Sequence, residues 1–215
     1  MSKLLNFLTG TKILDEKTSI HNGKLTVVKD FTFGTYIKGG GLTQSGGVAK
    51  DVWSSSLKKV KSKNIKIKKA LILGLGGGSI AQIIKRLWPS AKITGIDIDP
   101  IIVEFGKKYM GLDKLNVEIH IQDALSFIET KSLPEYDLIC VDTYQGDIFP
   151  EKFENLDFLK NITKILSKNG VIVFNRLYYG EKRPQAMKFL ISLEKVFPKV
   201  EVVHPEANIM FICKV

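Results

Sequence analysis

From residue 70 onward the chain alternates short, continuously apolar runs with segments whose apolar residues recur at helical spacing. "KKALILGL" is apolar at successive positions, as in a strand covered on both faces. "SIAQIIKRLW" repeats through Ile80, Ile83, Ile84 and Leu87, which share one face of a helix. The series continues with strand "AKITGID", helix "PIIVEFGKKYM" opened by Pro100, strand "NVEIHIQ", short helix "ALSFIET" and strand "YDLICVD". A helix over "PEKFENLDFLKNITKILSKNG", closed by Gly170 as its C-cap, a fifth strand "VIVFN" and a helix "RPQAMKFLISLEKVF" follow. Such alternation predicts an α/β fold, a parallel sheet with helices on both faces. The last two strands, "KVEVVH" and "NIMFICKV", break the rhythm. Only "PEA" joins them, too short for a helical crossover, so they must pair antiparallel.

Residues 1–50 obey a different pattern. Asn22-Gly23 sits between β-prone flanks in "TSIHNGKLTVV", a hairpin signal, and "GTYIKGGGLTQSGG" adds a strand and a glycine-rich bend. The chain therefore divides into a small N-terminal β-unit (1–50), a helix with a lysine-rich connector (51–69) and the main α/β domain (70–215). There is no internal repeat.

Composition narrows the setting. Of 215 residues, 44% are hydrophobic and 25% charged, ordinary for a globular protein with a sizeable core. No apolar run is long enough to cross a bilayer, and "MSKLLNFLTGTKILDEK" lacks the core and cleavage site of a signal peptide, so a cytoplasmic location with no membrane partner is expected. Cys140 and Cys213 lie in apolar strands without Cys or His at ligand spacing, and read as buried free thiols. The 32 Lys+Arg exceed the 22 Asp+Glu by 10. The densest block, Lys58 to Lys69, reads as a solvated connector in preference to a nucleic-acid patch, because it has no arginine and no interleaved aromatics. The same charge would repel a free polycationic substrate.

"GLGGGS" places Gly74, Gly76, Gly77 and Gly78 between the first strand and its helix. A glycine turn there lets backbone approach a ligand that the helix N-terminus then faces, though a turn without a ligand would look the same. It departs from the dinucleotide fingerprint in having Ser79 at the sixth position. Asp97 ends the second strand at the offset of a ribose-binding acid, while Asp99 suits a helix cap. Asp123 ends the third strand, where an adenine amino group could be received, and Asp142 ends the fourth. Acids at three successive strand ends beyond a glycine loop line one crevice and predict nucleoside binding.

At these residues the chain resembles the spermidine synthase family, the aminopropyltransferases, within the Rossmann-like class I S-adenosylmethionine-dependent methyltransferase fold. The similarity runs from about Lys24 to the C-terminus. "LILGLGGGSI" resembles the family's glycine motif, with Ser79 where its common G-G-G-D-G form has an acid. "GIDIDP" resembles E-I-D-P and "QDAL" resembles G-D-A, implying Asp97 at the ribose and Asp123 at the adenine. "GGGLTQSG" resembles D-G-x-x-Q, implying that Gln44 reaches the nucleoside. In the loop D-S/T-S/T-D, Asp142 matches the carboxylate that activates the attacking amine. Gln145 replaces the acid that holds the polyamine, and Trp53 stands where the preceding helix carries Tyr or His. The remaining pattern, Asp142, Gly146, Asp147 and Pro150, resembles a spermidine-synthase-like group with the loop D-x-x-x-G-D-x-x-P.

The resemblance implies S-adenosylmethionine or its decarboxylated form as cofactor, with Asp142 orienting and deprotonating the nucleophile of a small-molecule acceptor. Tyr144 and Gln145 would shape the acceptor pocket. Asp147 would replace the lost acid or merely begin a turn, and Arg176, Tyr178 and Tyr179 would grip an acidic or aromatic acceptor unless they lie on a solvated loop. Loss of the second acid and the positive charge favour methyl over aminopropyl transfer. A non-catalytic nucleoside- or polyanion-binding protein is the alternative of another class, and a nicotinamide oxidoreductase is disfavoured by Ser79 and the terminal hairpin. His21, His120 and His204 have no catalytic setting, no metal is expected, and the family's assemblies, dimers or tetramers, imply that a homodimer is one option.

Overall fold

The computed structural model describes residues 10–130 and 132–215. Residues 1–9, on which the signal-peptide expectation and the start of the N-terminal unit fall, lie outside them. A four-stranded antiparallel sheet comes first, β1 (Lys12–Ser19), β2 (Gly23–Asp30), β3 (Gly34–Gly39) and β4 (Leu42–Ser45), in sequential order. Asn22-Gly23 closes the first hairpin as expected, with Ser19 pairing Gly23. Helix α1 (Gly47–Ser62) then leads to the main sheet.

That sheet is built from β5 (Lys69–Leu73), α2 (Ser79–Leu87), β6 (Lys92–Asp97), α3 (Pro100–Met110), β7 (Val117–Ile121), α4 (Ala124–Ile128), β8 (Tyr136–Val141), α5 (Leu156–Lys164), β9 (Leu166–Leu177), α6 (Lys182–Glu194), β10 (Lys199–Val203) and β11 (Asn208–Lys214). The strand order is β10-β11-β9-β8-β5-β6-β7. β7, β6, β5, β8 and β9 are parallel, and β11 runs antiparallel to both β9 and β10. The parallel sheet with a terminal antiparallel pair is thus the observed architecture.

Alternation along the strands divides the core. Ala70, Ile72, Leu138, Cys140, Val171 and Val173 face α1, α2 and α3, whereas Leu71, Leu73, Ile139, Val141, Ile172 and Phe174 face α4, α5 and α6. Both faces of the central strands are covered, so Ala70–Leu73, Leu138–Val141 and Val171–Phe174 run continuously apolar, and Cys140 and Cys213 are buried free thiols. The N-terminal sheet is not a separate body. Leu25, Val27 and Ile37 belong to the same cluster as Val52, Trp53 and Phe105. Asn22 Nδ2 donates to Asp99 Oδ2 at 2.7 Å, and Asp99, fully buried, also caps α3 through the Ile101 N–H.

The expected boundary between the helix after β8 and the next strand is wrong. The helix predicted to run to Gly170 ends at Lys164, and it starts at Leu156 under an Asn155 cap, after a separate 3-10 turn over Glu151–Phe153. Ile165 and Leu166 are pulled into the core, β9 begins there, and Gly170 lies inside the strand. A Cβ at Gly170 would meet Leu166 Cδ1 at 2.7 Å, so glycine serves packing and not a helix cap. Among the described residues no helix is long and apolar enough to cross a membrane.

Part of the lysine-rich connector is structural. Lys59 and Lys63 both pair with Glu201 on β10, and Lys61 Nζ lies 5.3 Å from the centre of the Trp88 ring. The two ammonium groups hold the Glu201 carboxyl down at about 2, against an ordinary value of 4.5. A depressed folded-state pKa contributes stability above the unfolded value that is lost as pH falls through the folded one. Glu201→Gln should therefore lower stability by about 1 kcal/mol at pH 7. Urea midpoints should show that deficit shrinking from about pH 4.5 towards pH 2.

Candidate active site

The carboxyl ends of β5, β6, β8 and β9 open into a cavity of about 440 Å³, roofed by β4 and the start of α1. Its floor is the glycine turn. Gly74 and Leu75 donate their N–H groups to Ile96 O at 2.9 and 3.0 Å, which moors the turn to β6. Gly74 has φ +87°, and a Cβ there would lie 2.1 Å from the Asp142 carbonyl oxygen. Gly76 faces the cavity with room around it, its nearest neighbours for a Cβ being 3.7 Å away.

Gly77 and Gly78 are corrections to the expected ligand set. A Cβ on Gly77 would meet Met110 Sδ at 2.6 Å and Ile37 Cδ1 at 2.8 Å, and one on Gly78 would meet Leu112 Cδ1 at 2.7 Å. Neither lines the cavity: they let α3 and the N-terminal sheet close on the turn. Ser79 is occupied too. Its Oγ accepts the Gly46 N–H at 2.7 Å and shares a hydrogen bond with Ser45 Oγ at 2.9 Å, tying the entry of α1 to the start of α2.

Asp97 accepts the Gly76 N–H on Oδ2 at 2.7 Å and the Asp99 N–H on Oδ1 at 2.9 Å. Burial pushes its pKa up to about 6, against the pull of those two hydrogen bonds. Each oxygen keeps a lone pair for a hydroxyl donor. Asp123 caps α4, accepting from Leu125 and Ser126, and its Oδ2 accepts from the Lys152 ammonium. Burial alone would raise it, but Lys152 and the helix N–H groups outweigh that and hold it below the usual carboxylate range.

Asp142 is the best-fixed acid. Trp53 Nε1 donates to Oδ2 at 2.7 Å and Asn175 Nδ2 to Oδ1 at 2.8 Å, while Asn208 Nδ2 donates to Asn175 Oδ1 at 2.8 Å. α1, β8, β9 and β11 thus converge on one carboxylate. Burial raises its pKa, and the two neutral donors oppose that rise without a compensating positive charge. A carboxylate in this state can hold a nucleophile by hydrogen bonding and take its proton.

The loop after Asp142 is shaped from outside. Gln44 Nε2 donates to Gly39 O at 3.0 Å and Gly146 O at 3.1 Å, so it clasps the loop to β3 as well as lining the cavity. Tyr144 OH accepts the Leu177 N–H at 2.7 Å and burial lifts its pKa to about 12, so it is a packed, neutral wall. Gln145 forms a bridge with Ile148 and lines the cavity.

Three expected acceptor residues lie elsewhere. Asp147 turns outward to Lys182, whose Nζ is 2.9 Å from Oδ2. Arg176 is buried inside β9: its guanidinium pairs with Glu154 and lies 4.3 and 4.9 Å from the Phe149 and Phe189 ring centres. β9 runs on to Leu177, so alternation sends Asn175 to the cavity and Arg176 to the opposite core. The Tyr178 ring lies 5.1 Å from that of His204, tilted by 52°, and it is Tyr179 that lines the cavity. Sequence reading missed Asn175, although it is a polar residue at a strand's carboxyl end like the three acids. Asn208 and Lys152 had no local signal.

The profile of the spermine/spermidine synthase domain matches residues 54–206. The chain belongs to the spermine/spermidine synthase family. A polyamine aminopropyltransferase of Vibrio vulnificus is 32% identical over 115 residues, covering 52% of this chain and 38% of its own. The mouse eEF1A lysine and N-terminal methyltransferase is 27% identical over 156 residues, covering 67% of this chain and 22% of its own. The chain therefore spans less than half the length of either relative. In fold it is similar to a probable spermidine synthase from Corynebacterium glutamicum, with TM-score 0.76, 18% identity, and coverage of 94% of this chain and 79% of that one. Transferases of both kinds are thus family relatives, within one methyltransferase-like fold.

The glycine geometry makes a paired prediction. Gly74→Ala should destabilise the protein by roughly 3 kcal/mol or prevent folding, since the Cβ meets backbone. Gly76→Ala should cost only about 1 kcal/mol, the strain of a positive φ. Thermal and urea unfolding of the two variants check this.

Proposed function

We propose that this protein is an S-adenosylmethionine-dependent transferase that moves a methyl group to a small acceptor with a single amine or comparable nucleophile. The donor set fits the nucleoside on chemical grounds. Asp97 offers two acceptor oxygens to a ribose diol, and Asp123 offers one to the adenine amino group. The buried Thr143 Oγ1 has no protein partner and belongs to a residue of the same cavity wall, which suits a polar ligand. The cavity volume also falls in the range of about 300–1,000 Å³ usual for small-molecule sites. When bound, S-adenosylmethionine supplies a carbon activated by attachment to a positive sulfonium.

The residues' part is alignment and proton handling. Trp53 and Asn175 hold the Asp142 carboxylate still, so it orients the nucleophile and accepts its proton. Tyr144, Leu177 and Tyr179 narrow the approach and limit water.

The observation that favours methyl over aminopropyl transfer is the position of Asp147. With Asp97 and Asp123 assigned to the nucleoside, Asp142 is, among the described residues, the one carboxylate of the cavity lining left for the acceptor. A polyamine needs a second anion, and Asp147 points away, neutralised by Lys182. Of the remaining charged groups of the lining, Lys152 is already paired with Asp123, and Lys38 would repel a polycation.

Titration calorimetry should therefore show tighter binding of S-adenosylmethionine than of its decarboxylated form. The reverse preference would restore aminopropyl transfer, and binding of neither would end the nucleoside reading. With an acceptor in hand, Asp142→Asn should lower kcat by roughly 10²–10⁴-fold with nucleoside Kd nearly unchanged. The wild-type rate should rise with pH through a value above the ordinary carboxylate range, because the base works only when deprotonated, and the variant should lose that limb.

A further inference from the structure

Resting on the nucleoside reading, the pairing of Asp123 with Lys152 says how the base is read. The two oxygens of Asp123 are unequal. Oδ1 takes two backbone N–H groups of α4, from Leu125 at 3.0 Å and Ser126 at 3.2 Å. Oδ2 takes only the Lys152 ammonium and keeps a free lone pair. Lys152 comes from a different part of the chain, the 3-10 turn after the Asp142 loop, and its Nζ lies 5.1 Å from the centre of the Phe153 ring. One of its three N–H donors serves Asp123, which leaves two. Both residues line the cavity, each next to an apolar neighbour that lines it too, Ala124 and Phe153, with Pro150 nearby in the chain. The turn carrying Lys152 is itself anchored, because Glu154 at its end pairs with the buried Arg176.

A lone carboxylate would accept from any donor and so could not tell one amino-bearing base from another. A carboxylate beside an ammonium presents an acceptor next to a donor. The 6-amino group of adenine is a donor, and the ring nitrogens on either side of it, N1 and N7, are acceptors without protons. We propose that Lys152 is a specificity-determining residue of the nucleoside site, donating to a ring nitrogen of adenine beside the amino group whose proton Asp123 accepts. A base with an oxo group at the 6-position would put an acceptor against the carboxylate and lose that register.

The test is titration calorimetry with S-adenosylhomocysteine and its 1-deaza and 7-deaza analogues, each lacking one ring nitrogen. Wild type should bind the parent and lose about tenfold in affinity for one of the two analogues, the size of one hydrogen bond to a charged donor. Lys152→Met should bind the parent about tenfold more weakly and show no further loss with that analogue. Lys152→Arg, which keeps a cationic donor, should retain the discrimination. The proposal is overturned if wild type binds all three ligands alike. It is equally overturned if Lys152→Met weakens all three by one factor, as a purely structural role would. Should Lys152→Met fail to fold, the wild-type analogue series and Lys152→Arg still decide. Failure of wild type to bind the parent at all would overturn the nucleoside reading itself.

Discussion

A Cβ on residue 74 would sit 2.1 Å from the carbonyl oxygen of Asp142, so the carboxyl ends of β5 and β8 can meet only through glycine. That contact brings the cavity's working groups within reach of one another. It lets Asp142 approach the glycine turn, and the turn's next N–H, at Gly76, then reaches Asp97 at the end of β6. The remaining glycines serve the same closure from behind. Gly77 and Gly78 admit Met110, Ile37 and Leu112, so α3 and the N-terminal sheet press on the turn. Four glycines in five residues therefore answer two demands, cavity on one side and packing on the other.

Charge is distributed with the same division of labour. Two acids inside the cavity, Asp97 and Asp142, are supported only by neutral donors or backbone N–H groups, and burial raises their proton affinities against that support. Full ion pairs are placed around it: Lys182 with Asp147, Arg176 with Glu154, and Lys59 and Lys63 with Glu201. The first two hold the segment after β8, and the third holds α1, from which Trp53 reaches Asp142. Asp123 differs from the other two acids in having an ammonium beside it, and it is the one held below its ordinary range.

Much of this was legible in one dimension. A parallel sheet covered on both faces leaves continuous apolar runs, and each run ends where the chain meets the crevice, so Asp97, Asp123 and Asp142 stand out by position. The reading failed where period and boundary were misjudged. Ending β9 at Asn175 hid the alternation that buries Arg176 and turns Asn175 to the cavity. Treating Gly170 as a helix cap extended α5 past Lys164, because a glycine after lysines looks the same whether it caps a helix or makes room for Leu166.

The sequence by itself determined the sheet, its antiparallel ending, the glycine turn and the three strand-end acids, because these follow from local period and from which residue closes each run. Only the tertiary structure decided which partner each charged or polar group takes. Asp142 lies 89 residues from Trp53 and 33 from Asn175, and Arg176 lies 22 from Glu154. Hydrogen bonds and ion pairs of that separation are set by packing in three dimensions, and nothing in the neighbouring residues announces them.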